Sequence, residues 1–117
     1  MSTNHRMGDA HEAFLASLLD GSRSRGSGNQ WANPMDGRHN RMTERFAFAW
    51  DGKSTLSDTI SVTSKMWSKA VEQAGGERPM LGLRWYANER LDVVRDLLVV
   101  NAYDFSEMLT ELREARS

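Results

Sequence analysis

The 117-residue sequence contains no cysteine. Disulfide frameworks and thiolate metal sites are therefore excluded, and any metal ion must be held by carboxylates, carbonyls or histidines. No apolar run approaches the roughly 20 residues that cross a bilayer, and the first ten residues lack the apolar core of a secretory signal. These absences make the cytoplasm the expected location and leave no expected role in a membrane.

The chain also lacks the large positive charge of a polycation, because its formal net charge is −1. The charge is nevertheless uneven along the sequence. The segment from Ser22 to Arg45 contains five arginines and one histidine but only two acidic residues. Such a segment fits a phosphate backbone that approaches an acidic pocket, although a solvated arginine-rich loop explains the same composition equally well.

Length and composition indicate one globular domain. The sequence is 39% hydrophobic and 26% charged, which is the ordinary balance of a folded chain of this size. It shows no internal repeat and no long low-complexity tract. We therefore expect a single domain over residues 1–117, in which residues 1–8 form a flexible N-terminus.

Hydrophobic periodicity and turn residues predict eight elements in this domain. Their order is α-β-β-β-α-β-β-α, which predicts an α/β fold in which helices flank a mixed sheet. We expect a capping box of Asp104 and Glu107 at the start of the last helix. The helices are predicted at Asp9 to Leu19, Val62 to Gln73 and Asp104 to Glu114. The strands are predicted near Ser22, at Asp36 to His39, at Arg45 to Lys53, at Pro79 to Tyr86 and within Leu91 to Asn101.

The segment from Asp36 to Lys53 is the most informative part of the sequence. Residues i and i+2 of a strand share a face, so Asp51 and Lys53 should point the same way. Asp36 would arrive from the adjacent strand of a hairpin. Two carboxylates beside a lysine suit a hard cation such as Mg²⁺, and this combination supports the cleavage of phosphodiesters.

Each of these residues also has a plainer interpretation. Asp36 could be a turn residue. The dipeptide Asp51-Gly52 is common in turns, so the strand could instead end there in a hairpin tip. Lys53 alone would more often be a solvated surface lysine, and Glu12 alone an exposed helix residue. The prediction of a nuclease site therefore depends on the residues acting together.

Taken in order, these residues resemble the PD-(D/E)XK nuclease superfamily. Within it, they are most similar to the small Holliday junction resolvases of the archaeal and phage type. The resemblance covers roughly Ala10 to Tyr86. The matching pieces are Glu12 in the first helix, the segment Arg23 to Gly28, the tripeptide Pro34-Met35-Asp36, and the segment Asp51 to Thr55.

The resemblance implies a restriction-endonuclease-like fold and a Mg²⁺-dependent endonuclease that resolves four-way DNA junctions, with Mn²⁺ able to replace Mg²⁺. The lysine would orient the attacking water or stabilise the transition state. A homodimer acting on branched or double-stranded DNA is expected, because a four-way junction has near two-fold symmetry. The implied site comprises catalytic Glu12, Asp36, Asp51 and Lys53, the metal ligands Glu12, Asp36, Asp51 and the carbonyl of Gly52, and DNA-binding Arg23, Arg25, Ser27, Asn29 and Arg38.

Two other functions fit the same residues. A general or repair-type nuclease of this superfamily would cut other DNA, and a non-catalytic DNA-binding protein could carry a degenerate site. Metal binding at Asp36 and Asp51 would distinguish a nuclease from the non-catalytic protein. The histidines lack the spacing of a zinc site, so structural or solvent roles are expected for His5, His11 and His39.

Overall fold

A computed structural model describes residues 2–19, 21–23, 37–39 and 47–116. The five strands of this described part form one sheet in the order β1-β2-β3-β4-β5. Strands β3 and β4 are parallel and the other neighbours are antiparallel, so the expected α/β class with a mixed sheet is confirmed. The elements are α1 (Thr3–Leu18), β1 (Gly21–Arg23), β2 (Gly37–His39), β3 (Phe48–Thr55), α2 (Ser64–Ala74), β4 (Arg78–Tyr86), β5 (Val93–Val100) and α3 (Ala102–Arg116).

Helix α1 begins at Thr3, six residues before the predicted start. Its N-cap is Ser2, whose side-chain hydroxyl accepts a hydrogen bond from the backbone N–H of His5 at 3.2 Å. Met7 is buried, and its carbonyl accepts a hydrogen bond from the Tyr86 hydroxyl of β4 at 3.1 Å. The expectation of a flexible N-terminus over residues 1–8 is therefore corrected, because residues 3–8 belong to a capped and packed helix.

The sheet separates two apolar layers, and successive residues of β3 alternate between them. Phe48 and Trp50 point towards α1, on what we call the α1 face, whereas Ala49 points towards α2, on the α2 face. The buried core of the α1 face comprises Leu15, Phe48, Trp50 and Met80. The buried core of the α2 face comprises Ala49, Ala70, Ala74, Leu81 and Leu83.

Helix α1 lies directly on the sheet at Gly82. This glycine is the ladder partner of Gly52 in the parallel pair of β3 and β4. A Cβ atom on Gly82 would lie 2.7 Å and 2.8 Å from the two terminal methyl carbons of Leu15. Real side chains do not approach so closely, so any larger residue at this position of β4 would force the Leu15 side chain to move.

Helix α2 connects the two parallel strands. Its N-cap is Thr63, whose hydroxyl accepts a hydrogen bond from the backbone N–H of Met66 at 3.0 Å. Gly75 ends the helix in the left-handed conformation with φ of 60°, at the predicted stop. The predicted amphipathic helix is confirmed, but it begins at Ser64, so Val62 precedes its N-cap, and Val71 points to solvent with 50% exposure.

Helix α3 begins at Ala102, and its cap differs from the predicted one. The side-chain oxygen of Asn101 accepts hydrogen bonds from the backbone N–H groups of Tyr103 and Asp104, at 2.8 Å and 3.4 Å. The predicted capping box is therefore wrong, because the side chain of Asn101 already accepts hydrogen bonds from the first backbone N–H groups of the helix. Asp104 and Glu107 instead bind the guanidinium group of Arg78, at 2.7 Å and 2.9 Å.

Strand β5 is the edge of the described sheet next to β4, and it carries exposed apolar side chains. Val94 is 60% exposed and Leu97 is 47% exposed. Helix α3 adds Tyr103, Phe105 and Leu112, which are also exposed. Exposed apolar edges of this kind favour association with another chain. None of the described helices combines the length and the hydropathy needed to cross a membrane.

Candidate active site

Asp51 and Lys53 lie side by side in the interior of β3. The strand continues through the dipeptide Asp51-Gly52 to Thr55, and each of these residues has a ladder partner on β4. The alternative of a hairpin tip at this dipeptide is therefore excluded. The Lys53 Nζ atom lies 3.0 Å from the Asp51 Oδ2 atom, as the i, i+2 spacing of a strand predicts.

This ion pair is in contact with solvent. The side chain of Asp51 is 24% exposed and that of Lys53 is 41% exposed. A pair with this degree of exposure stabilises a fold by at most about 1 kcal/mol. The pair is therefore accessible to a ligand and contributes little to stability.

Asp51 and Lys53 point to the α2 face. Their ladder partners on β4 are Leu81 and Leu83, which belong to the buried core of that face. Helix α1, with the partly buried Glu12, packs against the other face. Within the described ranges, no group of three or more histidine, aspartate and glutamate side chains is arranged to hold a metal ion. The expected participation of Glu12 in this site is corrected, because its helix lies on the face of the sheet opposite to Asp51 and Lys53.

Asp36, the second expected carboxylate, lies outside the described residues. The residue that follows it, Gly37, is the first residue of β2. In the antiparallel ladder of β2 and β3, Gly37 pairs with Trp50, the residue that precedes Asp51. The described part of β2 therefore begins one ladder position away from Asp51.

The residues predicted to bind DNA fall in the first part of the chain. Arg23 is the last residue of β1, and Arg38 is the middle residue of β2. Arg25, Ser27 and Asn29 lie outside the described residues. In the ladders, Arg38 is the partner of Ser22 on β1 and of Ala49 on β3. The roles of all five residues stay predictions.

The α1 face contains a buried polar cluster that the sequence analysis missed. Arg84 of β4 is 6% exposed, and its guanidinium group donates two hydrogen bonds to the carboxylate of Asp96 on β5, at 2.6 Å and 3.1 Å. It also donates to the hydroxyl of Tyr86 at 3.3 Å. Its central carbon lies 4.2 Å from the centre of the Phe14 ring, within cation–π distance. The cluster joins α1, β4 and β5.

His11 of α1 is buried beside this cluster, with 2% of its surface exposed. Burial lowers its pKa from 6.5 to about 4, and the charge of Arg84 acts in the same direction, against the opposing charges of Asp96 and Asp51. The imidazole is therefore neutral at pH 7. Its Nε2 atom has no hydrogen-bond partner among the described residues.

One sequence signal could have placed His11 in the core. It lies four residues after Met7 and four before Leu15, and both of these residues are buried. Residues spaced by four share one side of a helix, so His11 interrupts an apolar stripe. The expected structural role of His11 agrees with this position.

The described pair combines two groups that phosphodiester hydrolysis needs. A carboxylate provides oxygen ligands for a hard divalent cation. An ammonium group at 3.0 Å from that carboxylate can stabilise negative charge that develops on a phosphate. Both groups are on a strand inside the sheet, so the backbone holds the two side chains on the same face.

Comparisons with known proteins identify no relative. No family model matches the sequence, and no curated protein and no solved structure matches it. The geometry of β3 and of its neighbours therefore carries the functional conclusion.

Proposed function

We propose that this protein is a Mg²⁺-dependent endonuclease that cleaves branched DNA such as four-way junctions, with Mn²⁺ able to replace Mg²⁺. The observation that carries the proposal is the solvent-accessible pair of Asp51 and Lys53, with 3.0 Å between carboxylate oxygen and ammonium nitrogen. A single isolated ion pair of this kind is common on protein surfaces. Its place in the interior of β3, next to the strand that follows Asp36, makes it suitable for catalysis.

The arrangement of the elements supports the same proposal. Helix α1 is followed by three strands that are antiparallel neighbours, then by α2 and by a strand parallel to β3. A mixed sheet flanked by helices, with Asp51 on the third strand and Asp36 preceding the second in the sequence, is compatible with the resemblance to PD-(D/E)XK nucleases. A restriction-endonuclease-like fold is therefore part of the proposal.

The chemistry of the donor set fits Mg²⁺. Asp51 provides carboxylate oxygens, and we propose Asp36 and the carbonyl of Gly52 as the remaining protein ligands, without Glu12, whose helix packs against the opposite face of the sheet. When bound, the ion supplies a water of lowered pKa and neutralises charge on the phosphate. Lys53 is held beside Asp51 and can orient the attacking water or stabilise charge on the phosphoryl oxygens.

DNA and a second copy of the chain are the proposed partners. Arg23, Arg25, Ser27, Asn29 and Arg38 are proposed to contact the DNA backbone, which positions the duplex without reading its sequence. A two-fold dimer would present two equivalent sites to the two strands of a junction. The exposed apolar edge formed by β5 and α3 is the surface proposed for that dimer, and the cytoplasm is the proposed location.

Cleavage assays test this proposal directly. Labelled four-way junction, linear duplex and single-stranded DNA are each incubated with the protein, with Mg²⁺ or with a chelator. We expect cleavage of paired strands near the branch point of the junction, only when the metal is present. Cleavage spread along linear duplex would indicate a general nuclease instead, and binding without any cleavage would indicate a non-catalytic DNA-binding protein.

A further inference from the structure

All three lysines of the 117-residue chain line one open groove. They are Lys53 of β3 and Lys65 and Lys69 of α2. The groove has a volume of about 670 Å³ and runs between β3 and the first turns of α2. We call it the lysine groove. Its other lining residues are Thr63, Met66, Ser68 and Glu72.

The lysine groove concentrates positive charge in a chain of net charge −1. Lys65 and Lys69 are exposed, and neither forms an ion pair with another described residue. They are four residues apart on α2, where like charges destabilise a helix by about 0.2–0.5 kcal/mol. Glu72 is one acid against three lysines in the lining. Lys53 is paired with Asp51, so Lys65 and Lys69 supply the unpaired positive charge of the groove, and this charge is complementary to an anionic ligand.

The groove is continuous with the candidate active site, because Lys53 belongs to both. An occupant that contacts Lys65 and Lys69 and reaches Lys53 also reaches Asp51, 3.0 Å away from the Lys53 ammonium. A chain of phosphates carries regularly spaced negative charges that can follow such a path. Lysine binds phosphate as a compact point charge with little geometric demand, which suits contacts that do not depend on DNA sequence.

We propose that the lysine groove holds the phosphate backbone of the DNA strand that passes through the Asp51–Lys53 site. This inference rests on the proposed nuclease function and extends it, because it gives α2 a role in guiding the strand. Lys65 and Lys69 bind phosphates beside the one to be cleaved. The DNA-binding surface then includes the α2 face as well as the arginines of the first strands.

Salt-dependent binding tests the proposal. The variant Lys65→Gln/Lys69→Gln and the unmodified protein are compared on four-way junction and duplex DNA in Ca²⁺, between about 50 and 200 mM salt. Loss of two phosphate contacts should reduce the slope of log affinity against log salt by about 1.8 on duplex arms, and the affinity by roughly ten-fold. Lys65→Arg/Lys69→Arg keeps both charges and should bind nearly as the unmodified protein does.

A matched control removes two charges elsewhere. Arg6→Gln/Arg90→Gln changes the start of α1 and the turn before β5, where both arginines are exposed. This control should keep the original slope. A slope in Lys65→Gln/Lys69→Gln equal to that of the unmodified protein would overturn the groove assignment.

A second measurement needs no substitution. Amine acetylation followed by mass spectrometry reports all three lysines, with the terminal amine as an internal standard. Saturating junction DNA should slow acetylation of Lys65 and Lys69 several-fold. Full reactivity of both lysines under saturating DNA would overturn the proposal. An unmodified protein that neither binds nor cuts DNA would refute the nuclease function itself, whereas one that cuts DNA with both lysines reactive would refute only the groove.

Discussion

Asp51 and Lys53 differ in what their removal should do. Asp51→Asn keeps the shape of the side chain but removes the charge that holds a metal ion, so we expect loss of junction cleavage with the fold and DNA binding largely intact. The loss should be at least about 100-fold, as for other groups that stabilise transition-state charge. Cleavage in Mg²⁺ measures activity, and circular dichroism checks the fold.

The matched control for this change is Asp58→Asn. Asp58 is an exposed acid in the loop after β3, and its backbone carbonyl accepts a hydrogen bond from the Trp85 indole. The substitution changes only the side chain, so this variant should cut junctions as the unmodified protein does. A folded Asp51→Asn protein with full activity would refute the assigned site.

Lys53→Ala should also lose cleavage, for a different reason. The ammonium group is assigned to the attacking water and to the transition state, with no role as a ligand of the metal. Calorimetric titration with Mg²⁺ or Mn²⁺ should therefore show metal binding that is unchanged or tighter, because a nearby positive charge has been removed. If Lys53→Ala lost metal affinity to the same extent as Asp36→Ala, the separation of roles would be wrong.

Buried His11 should make stability depend on pH. Its pKa is about 4 in the folded chain and 6.5 as a free side chain. As the pH falls through 6.5, the imidazole of the unfolded chain binds a proton, whereas the buried imidazole of the folded chain stays neutral until the pH approaches 4. The free energy of unfolding therefore decreases over this range, and at higher pH this residue has little effect on it. Between pH 7 and pH 5 the decrease from this residue should be about 2 kcal/mol.

Urea unfolding at a series of pH values measures this effect. His11→Leu removes the imidazole and should remove the dependence between pH 7 and pH 5, a range in which ordinary carboxylates stay largely ionised. An equal dependence in both proteins would show that the imidazole is not the group responsible.

At the scale of elements, the sequence was informative where a local backbone rule applies. The pairing of Asp51 with Lys53 follows from the alternation of side chains in any strand, and the stop of α2 follows from Gly75. The start of α1 and the cap of α3 were misplaced, because Ser2 and Asn101 compete with residues that are equally good caps. Sequence cannot decide between neighbouring caps when the deciding contacts are distant in the chain.

The buried cluster of Arg84 and Asp96 was beyond sequence reasoning for another reason. The two residues meet because β4 and β5 pair in one register, and Phe14 reaches them only when α1 lies on β4. In the sequence, neither Arg84 nor Asp96 differs from a charged residue that is exposed to solvent. Contacts that form only when three elements are packed together cannot be recognised from local sequence patterns.

A double-mutant cycle can test the contact between Leu15 of α1 and Gly82 of β4. Gly82→Ala places a methyl group where the Leu15 side chain lies, and overpacking of this kind costs about 1–3 kcal/mol. In a Leu15→Ala background the same change should be nearly neutral, because the space is then empty. Urea unfolding of both single variants and the double variant measures the coupling. Additive effects would show that α1 does not lie against Gly82.

At the scale of the whole molecule, the exposed apolar edge predicts a dimer. Leu97 and Leu98 of β5 are 47% and 42% exposed, so Leu97→Lys/Leu98→Lys should keep the fold but separate the two copies. Sedimentation velocity should show a dimer for the unmodified protein and a monomer for this variant. Val71→Lys, on α2, is the control for another exposed apolar position.

The comparison can also move the interface or refute the dimer. A dimer that survives Leu97→Lys/Leu98→Lys but dissociates in Val71→Lys would place the interface on α2. A monomeric unmodified protein at all concentrations would refute the dimer, and junction cleavage would then require two independent binding events.

The hydrogen bond from Tyr86 to Met7 joins residues that are 79 positions apart, and this separation has a consequence during synthesis on the ribosome. Helix α1 is made first, but its packing partners on β4 leave the exit tunnel only much later. Leu15 can already pack on Phe48 and Trp50 of β3, but Met7 gains its partner Tyr86 only with β4. Docking of α1 is therefore completed only after β4 is made, and nascent chains that end before β4 should expose part of the α1 face to chaperones.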